Sequence, residues 1–191
     1  SDVAEDPEAL GEPDVIAKSE IPYLPDATKP DDYRCFPLDI QFPETTFVKG
    51  TVIVPDQIPI VHHVLIYLIP EGDVAAMEAF DAESDTPGYS CFGGPGFGEL
   101  GGPVAGWAPG GLPQFTDDGY ARIIPKGSRL VMQVHYNVLV AEPTEDQTAL
   151  HMYFYDEAQD NEVGARPQPH LALSVPAGEP EFVQMKEFVV R

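Results

Sequence analysis

The clearest structural signal in the sequence is RLVMQVHYNVLV, residues 129–140. Its side chains alternate between two faces, and the apolar face holds Leu130, Met132, Val134, Tyr136 and Val138. Gln133, His135 and Asn137 occupy the polar face, and a period of two is typical of a β-strand with one side buried. The stretch therefore predicts a strand that presents His135 on its polar face.

Short β-branched and aromatic runs, separated by Pro and Gly, extend this pattern along the chain. They lie at residues 33–42, 46–54, 58–69, 120–124, 128–140, 147–156, 169–175 and 181–190. One stretch has helical character, from Gly72 to Phe80. Many short strands between turn residues indicate an all-β sandwich or barrel. A chain of 191 residues is long enough for one full domain of this kind, or for one domain with tails.

Two segments interrupt the strand pattern. Residues 1 to about 30 are acidic, contain five prolines and have little apolar periodicity, so we expect an extended leader or linker without a core. Residues 87–119 contain 11 Gly and 5 Pro. A connection of this length is normally functional, disordered or pinned, and Cys91 and Trp107 are the candidate pins.

The charge and hydropathy of the chain exclude two classes of partner. With 10 basic and 32 acidic residues, the formal net charge is −22, which repels nucleic-acid phosphates and anionic membrane surfaces. The longest apolar run, residues 58–69, is interrupted by two histidines and falls short of the roughly 20 residues that a transmembrane helix needs. We therefore expect no nucleic-acid partner and no membrane-spanning segment.

The chain contains two cysteines, Cys35 and Cys91. They could be paired with each other, reduced and buried, or catalytic, and their spacing does not separate these alternatives. Both lie in aromatic, turn-rich surroundings, YRCF at 33–36 and YSCF at 89–92, which favours pairing. A disulfide would imply an oxidising compartment.

The most informative side chains are the adjacent His62 and His63, inside the run IPIVHHVLIYLI at residues 58–69. Adjacent side chains of a regular strand point to opposite faces. Both rings therefore reach one metal ion only if the backbone is irregular or the rings use different nitrogens. Pro59 favours an irregularity. The alternative is one buried structural imidazole and one exposed imidazole.

A metal site is the strongest chemical candidate in this sequence. The neutral imidazoles of His62, His63 and His135 suit copper or zinc, and copper heads the divalent affinity series for nitrogen ligands. The remaining histidines, His151 and His170, are predicted to be structural or surface residues. The sequence contains no nucleophile elbow, no HExxH motif and no phosphate-binding GxxxxGK motif.

The order of these features resembles a known family. The chain carries DYRC at 32–35, then HH at 62–63 before an apolar strand, then YSC at 89–91, GWAPG at 106–110 and QVHYN at 133–137. This succession resembles the copper type II, ascorbate-dependent monooxygenases, the family of dopamine β-monooxygenase and peptidylglycine α-hydroxylating monooxygenase. The resemblance covers the chain from about residue 31 to its C-terminus.

In that family, two jelly-roll β-sandwich domains each hold one copper ion and face each other across a solvent-filled cleft. The resemblance implies that residues 32–191 are the first domain, after a leader of residues 1–31, and that the last residues correspond to the start of the second domain. It also implies that His62, His63 and His135 bind the copper ion of the first domain.

The resemblance carries further expectations about the surroundings of that copper. It implies a Cys35–Cys91 disulfide, an extracytoplasmic location and ascorbate as the external electron donor. Three polar residues near the ligands in sequence are candidate neighbours of the copper ligands: Tyr67, Gln133 and Asn137.

The family's second copper site, where dioxygen and substrate meet, uses a His-x-His motif and a methionine of the second domain. This chain contains no His-x-His sequence. Hydroxylation of a C–H bond would therefore require a second domain or another protein chain. Two alternatives stay open: a non-enzymatic copper-binding or redox accessory subunit of an extracytoplasmic complex, and a β-sandwich that binds no metal.

Overall fold

The computed structural model describes residues 11–98, 103–139, 141–165 and 172–188. In these ranges it contains the strands β1 (Val15–Lys18), β2 (Asp31–Pro37), β3 (Thr46–Val54), β4 (Val61–Ile69), β5 (Tyr89–Ser90), β6 (Ala105–Trp107), β7 (Gln114–Phe115), β8 (Tyr120–Ile124), β9 (Arg129–Asn137), β10 (Ala149–Phe154) and β11 (Asn161–Glu162). One helix, α1 (Glu71–Asp81), follows β4. No helix within the described ranges is long and apolar enough to cross a membrane.

The strands form two sheets. The first has the order β1-β10-β3-β8-β11, with β7 paired to β3, and the second has the order β5-β2-β9-β4-β6. Neighbouring strands are antiparallel except β11, which runs parallel to β8. The predicted all-β class is confirmed, and two sheets that pack over a common core form a β-sandwich.

The core fills the space between the two sheets. Its buried members come from both sides, including Val48, Leu150 and Met152 of the first sheet and Val64, Val134 and Tyr136 of the second. Burying one side chain of this size stabilises the fold by roughly 1.5–3 kcal/mol. Because strand side chains alternate, this packing turns Gln133 and His135 toward the outer face of the second sheet.

A smaller apolar cluster covers part of that outer face. Helix α1 buries Met77 in a cluster with Ile69, Tyr89 and Val131. The helix was predicted at residues 72–80, and the structure confirms it with one residue added at each end. The histidine-bearing end of the outer face lies beside this cluster rather than within it.

The long glycine-rich segment is pinned to the second sheet at both predicted points. Cys91 forms a disulfide with Cys35 of β2, with the two Cα atoms 5.8 Å apart, so the expected pairing is confirmed. Gly88 permits this approach, because its φ is 66° and a Cβ there would overlap the carbonyl oxygen of Cys35. Trp107 is half-buried in β6, opposite Val64.

The predicted strands agree with the structure except near the C-terminus. The strands predicted at 46–54 and 120–124 coincide with β3 and β8, and four more overlap β2, β4, β9 and β10. The predictions at 169–175 and 181–190 are wrong for residues 172–175 and 181–188, which are exposed and form no strand. Their apolar side chains alternate, but no described strand lies beside them to form backbone hydrogen bonds. Residues 169–171, 189 and 190 lie outside the described ranges.

The expectation of a leader without a core is wrong for part of residues 1–31. β1 pairs with β10 as an edge strand, and Ala17 within it is 1% exposed. Tyr23 is buried and packs its ring against Phe36 and Tyr136. The segments that make these contacts are too short to produce a periodic apolar pattern, so the sequence did not reveal them. Residues 1–10 lie outside the described ranges.

Candidate metal centre

A β-bulge sets the positions of the adjacent histidines. Strand β4 pairs with β9, and the register shifts between Val61 and His63. Val61 lies opposite Tyr136 and His63 lies opposite His135, so His62 is an extra residue in β4. A bulge of this kind interrupts the alternation and re-aims a side chain. The irregularity that two adjacent ligands require is therefore present, at His62 itself.

The three histidines converge through their Nδ1 atoms. The Nδ1 atom of His63 lies 3.2 Å from Nδ1 of His62 and 3.3 Å from Nδ1 of His135. One candidate ligand atom from each of the three residues lies within 4.8 Å of the other two. The structure thus brings together the three histidines that the sequence singled out, two from β4 and one from β9.

The spacing of these nitrogens fits a metal ion. An ion that lies about 2.0–2.1 Å from each imidazole nitrogen, as zinc does, holds two ligands about 2.9 Å apart at a right angle and about 3.3 Å apart at a tetrahedral angle. The two measured Nδ1 separations, 3.2 and 3.3 Å, fall within this range. These two pairs therefore already have the spacing of ligands that share an ion, and His62 and His135 need to lie no more than about 4.2 Å apart for the same ion to contact all three rings.

Asp31 lies behind the His135 ring. The Nε2 atom of His135 donates to Oδ1 of Asp31 at 2.8 Å, and the side-chain amide of Asn137 donates to the same oxygen at 3.2 Å. The hydrogen bond from His135 holds the pKa of Asp31 below its usual value. A proton fixed on Nε2 leaves the lone pair of a neutral His135 on Nδ1, which faces His63.

One aromatic ring stacks on the face of His135, and a second ring packs against the first. The ring of Tyr33 stacks on the His135 imidazole with centroids 4.1 Å apart and planes 6° apart. Phe92 packs edge-on against Tyr33, at 5.0 Å, and is itself 84% exposed. Tyr33 lies opposite His135 in the β2–β9 ladder, so strand pairing alone places it there. The stack limits rotation of the imidazole.

The three rings differ in exposure. His135 is 6% exposed, His63 is half-buried and His62 is exposed. Burial, with smaller contributions from His135 and His62, lowers the pKa of His63. At neutral pH the His63 imidazole is therefore neutral and can offer a lone pair. The site opens to solvent on the His62 side.

The candidate neighbours of the histidines have different roles in the structure. Asn137 acts through Asp31, as described above. Gln133 donates from Nε2 to the carbonyl oxygen of Cys91 at 2.6 Å, so it holds the disulfide loop rather than a histidine. Tyr67 lies four residues along β4 from His63 and lines a separate cavity. Only Asn137 is thus linked to a histidine of the site, through one intervening carboxylate.

Sequence reasoning did not single out Asp31, Tyr33 or Phe92 as parts of this site. Asp31 and Tyr33 reach His135 across the β2–β9 ladder and Phe92 lies in the turn after β5, so no local motif marks them as neighbours of the histidines. His151 lies in β10 of the first sheet and does not join the cluster. His170 lies outside the described residues.

Comparison with known proteins adds no family assignment. A scan against protein-family models finds no match to this sequence, and a search of curated proteins finds no significant match.

Proposed function

We propose that His62, His63 and His135 bind one copper ion and that the chain transfers electrons as the first domain of an ascorbate-dependent copper monooxygenase. The observation that carries the proposal is the convergence of three Nδ1 atoms, one of them backed by a carboxylate on the opposite ring nitrogen. Histidine ligands of metals typically donate their other ring N–H to a carboxylate or carbonyl oxygen in this way.

A cation explains this arrangement better than hydrogen bonding among the rings. His135 carries its proton on Nε2, toward Asp31, so its Nδ1 is an acceptor. A proton on Nδ1 of His63 can be directed at His135 or at His62, and one of the two close nitrogen pairs then lacks a linear hydrogen bond. A metal ion accepts the lone pairs of all three nitrogens at once.

The donor set favours copper. The three ligands are imidazoles, and nitrogen sites bind Cu²⁺ more tightly than the other divalent first-row ions. When bound, copper supplies one-electron chemistry by alternating between Cu(II) and Cu(I). The exposed His62 leaves the site accessible to a small electron donor such as ascorbate, while Asp31 and Tyr33 hold His135 in place.

The monooxygenase assignment rests on the sequence resemblance. In that assignment, dioxygen and a C–H substrate meet at a second copper site in a second domain or another protein chain. The two-sheet sandwich, the Cys35–Cys91 disulfide and the histidine cluster agree with the first domain of the family. The finer jelly-roll topology and an extracytoplasmic location, for which a disulfide is typical, belong to the same proposal.

A second candidate is a copper-binding or redox accessory subunit without enzymatic activity. Among the residues that the structure describes, the histidine cluster is the single group of three or more metal-capable side chains found close together. One metal site without a second is sufficient for carrying copper or relaying electrons. The two candidates share the site and differ in what receives the electron.

Copper titration followed by electron paramagnetic resonance tests the shared site. We expect one Cu(II) per chain with a type II signal, loss of that signal in His135→Ala and His62→Ala, and normal binding in the control His151→Ala. His151 is also partly buried in a strand, but lies in the other sheet. Unchanged stoichiometry in both site variants would eliminate the metal site.

Reduction separates electron transfer from storage. Anaerobic ascorbate should abolish the Cu(II) signal while the metal stays bound to the protein. A signal that persists in excess ascorbate would overturn the electron-transfer role and leave a copper-binding protein. Release of copper on reduction would also contradict a site that cycles.

A further inference from the structure

A cavity of about 690 Å³ opens at one edge of the sandwich. It lies where the glycine-rich residues 92–98 meet the end of β4, strand β8 and residues 162–165. Its walls are mainly apolar, formed by side chains such as Leu68, Phe92, Phe97, Val104 and Val163. Small-molecule sites are typically concave, mostly apolar and about 300–1,000 Å³ in volume.

Two residues that line this cavity, Arg122 and Tyr67, carry side-chain hydrogen-bond donors that have no partner in the described part of the chain. Arg122 of β8 is half-buried, and its guanidinium forms no hydrogen bond or ion pair with a described residue; the same holds for the hydroxyl of the half-buried Tyr67. Partial burial lowers the pKa of Arg122 and raises the pKa of Tyr67. A partly desolvated guanidinium without an acceptor favours binding of an anion.

Arg122 differs from the other described basic side chains that lack a carboxylate partner. Lys18, Lys49 and Lys126 are exposed, and the buried Arg34 donates to the carbonyl oxygens of residues 86–88, whereas the half-buried Arg122 guanidinium has no acceptor among the described residues. Acidic residues outnumber basic residues by 32 to 10, yet no described carboxylate lies within 4.0 Å of its guanidinium. Glu162, which also lines the cavity, is exposed and does not pair with it. The net negative charge opposes an anion at long range, but salt screens that repulsion beyond about 8 Å, whereas Arg122 acts at contact.

We infer that this cavity binds a small organic monocarboxylate with an apolar body. The carboxylate accepts hydrogen bonds from the Arg122 guanidinium, which matches its planar geometry, and from the Tyr67 hydroxyl. The apolar body packs against Phe92, Phe97 and Val104. This site does not involve the histidines and goes beyond the proposed copper function.

Two successive contacts between aromatic rings connect the cavity wall to the histidine cluster. Phe92 forms part of its wall, packs edge-on against Tyr33, and Tyr33 stacks on His135. A bound carboxylate would therefore restrict the exposed ring of Phe92. Ligand binding could therefore change the environment of His135, but the proposed binding does not depend on such a change.

Calorimetric titration of the metal-free protein tests the inference with two matched probes. 3-Phenylpropionate carries the carboxylate and an aromatic body, and 3-phenylpropionamide has the same shape without charge. We expect the acid to bind at least about tenfold more tightly than the amide at neutral pH and moderate salt. Equal affinities, or no binding of the acid up to its solubility limit, would overturn the inference.

Substitutions locate the binding to this cavity. Arg122→Gln should weaken the acid about tenfold or more and leave the amide unchanged, and Tyr67→Phe should weaken the acid roughly two- to tenfold. Arg129→Gln is the control, since Arg129 lies near Glu78 at another cavity. Circular dichroism checks the fold of each variant, and Arg122→Lys supplies a charged replacement if the glutamine variant is unstable. Acid binding that survives both Arg122 substitutions would place the ligand elsewhere.

Discussion

Replacing Asp31 with alanine tests how the histidine cluster is oriented. The carboxylate accepts the hydrogen bond from Nε2 of His135 at 2.8 Å and so keeps the lone pair of that ring on Nδ1, toward His63. Without an acceptor, His135 can carry its proton on either nitrogen, and the tautomer with Nδ1–H cannot bind a metal through Nδ1. We expect Asp31→Ala to weaken copper binding without unfolding the protein.

The structure sets the size of this effect. Loss of a partner behind a metal-bound histidine typically costs 10- to 100-fold in metal affinity. The side chain of Asp31 is 44% exposed, so water can replace part of the lost hydrogen bond. Tyr33 also remains stacked on His135 and limits its rotation. The expected loss is therefore at the lower end, about tenfold.

A competition titration against a copper chelator, read by electron paramagnetic resonance, measures the affinity. Asp31→Asn is the matched variant, because its amide oxygen can still accept from His135, and it should bind copper within about threefold of the wild type. Asp118→Ala removes an exposed carboxylate beside the first sheet and controls for net charge. If Asp31→Ala binds copper as tightly as the Asp118 variant, the orienting role of Asp31 is refuted.

Three further outcomes follow from the fold. Removal of the Cys35–Cys91 disulfide, which spans 56 residues, should lower the free energy of unfolding in urea by roughly 4 kcal/mol. The stability of the variant should then no longer change when a reductant is added. Gly93→Ala should lower the free energy of unfolding by about 1–2 kcal/mol, because alanine disfavours the positive φ of that position. Gly88→Ala should lower it further, because the new Cβ would also overlap the carbonyl oxygen of Cys35. Burial lowers the pKa of His63, so the unfolded chain binds its proton first as pH falls. Stability of the metal-free protein should therefore decline from about pH 7 toward pH 5, and His63→Gln should flatten that decline.

Periodicity predicted the parts of the fold that have regular partners. Strand β9 and its neighbours in the second sheet have long alternating or apolar runs, and the structure places them in one sheet. Residues 181–188 show a similar alternation but form no strand, because no described strand lies beside them. β1 shows the converse: it forms although it is only four residues long and lies in an acidic segment, since β10 offers an unpaired edge. Whether a segment finds a neighbouring strand depends on the whole fold, so a local sequence pattern does not predict it.

The histidines could be found from the sequence, but their convergence could not be derived from alternation. A regular β4 would have directed His62 and His63 to opposite faces, and the bulge that prevents this depends on how β4 pairs with β9. Asp31 and Tyr33 reach His135 across the β2–β9 ladder, at a separation of about a hundred residues in sequence. Their roles require the strand register, which no motif encodes.

The register that builds the core also fixes His135. Val134 and Tyr136 on its two sides are fully buried, and the Tyr136 hydroxyl donates to the buried carboxylate of Asp146 at 2.9 Å. A slip of β9 by one residue would turn the imidazole into the core and leave Asp146 without that donor, so core packing opposes it. His62 has no such constraint, because it is the extra residue of the bulge and is exposed. The fold thus orients His135 through the register of the core, whereas His62 is free to adjust to an ion if the three rings bind one.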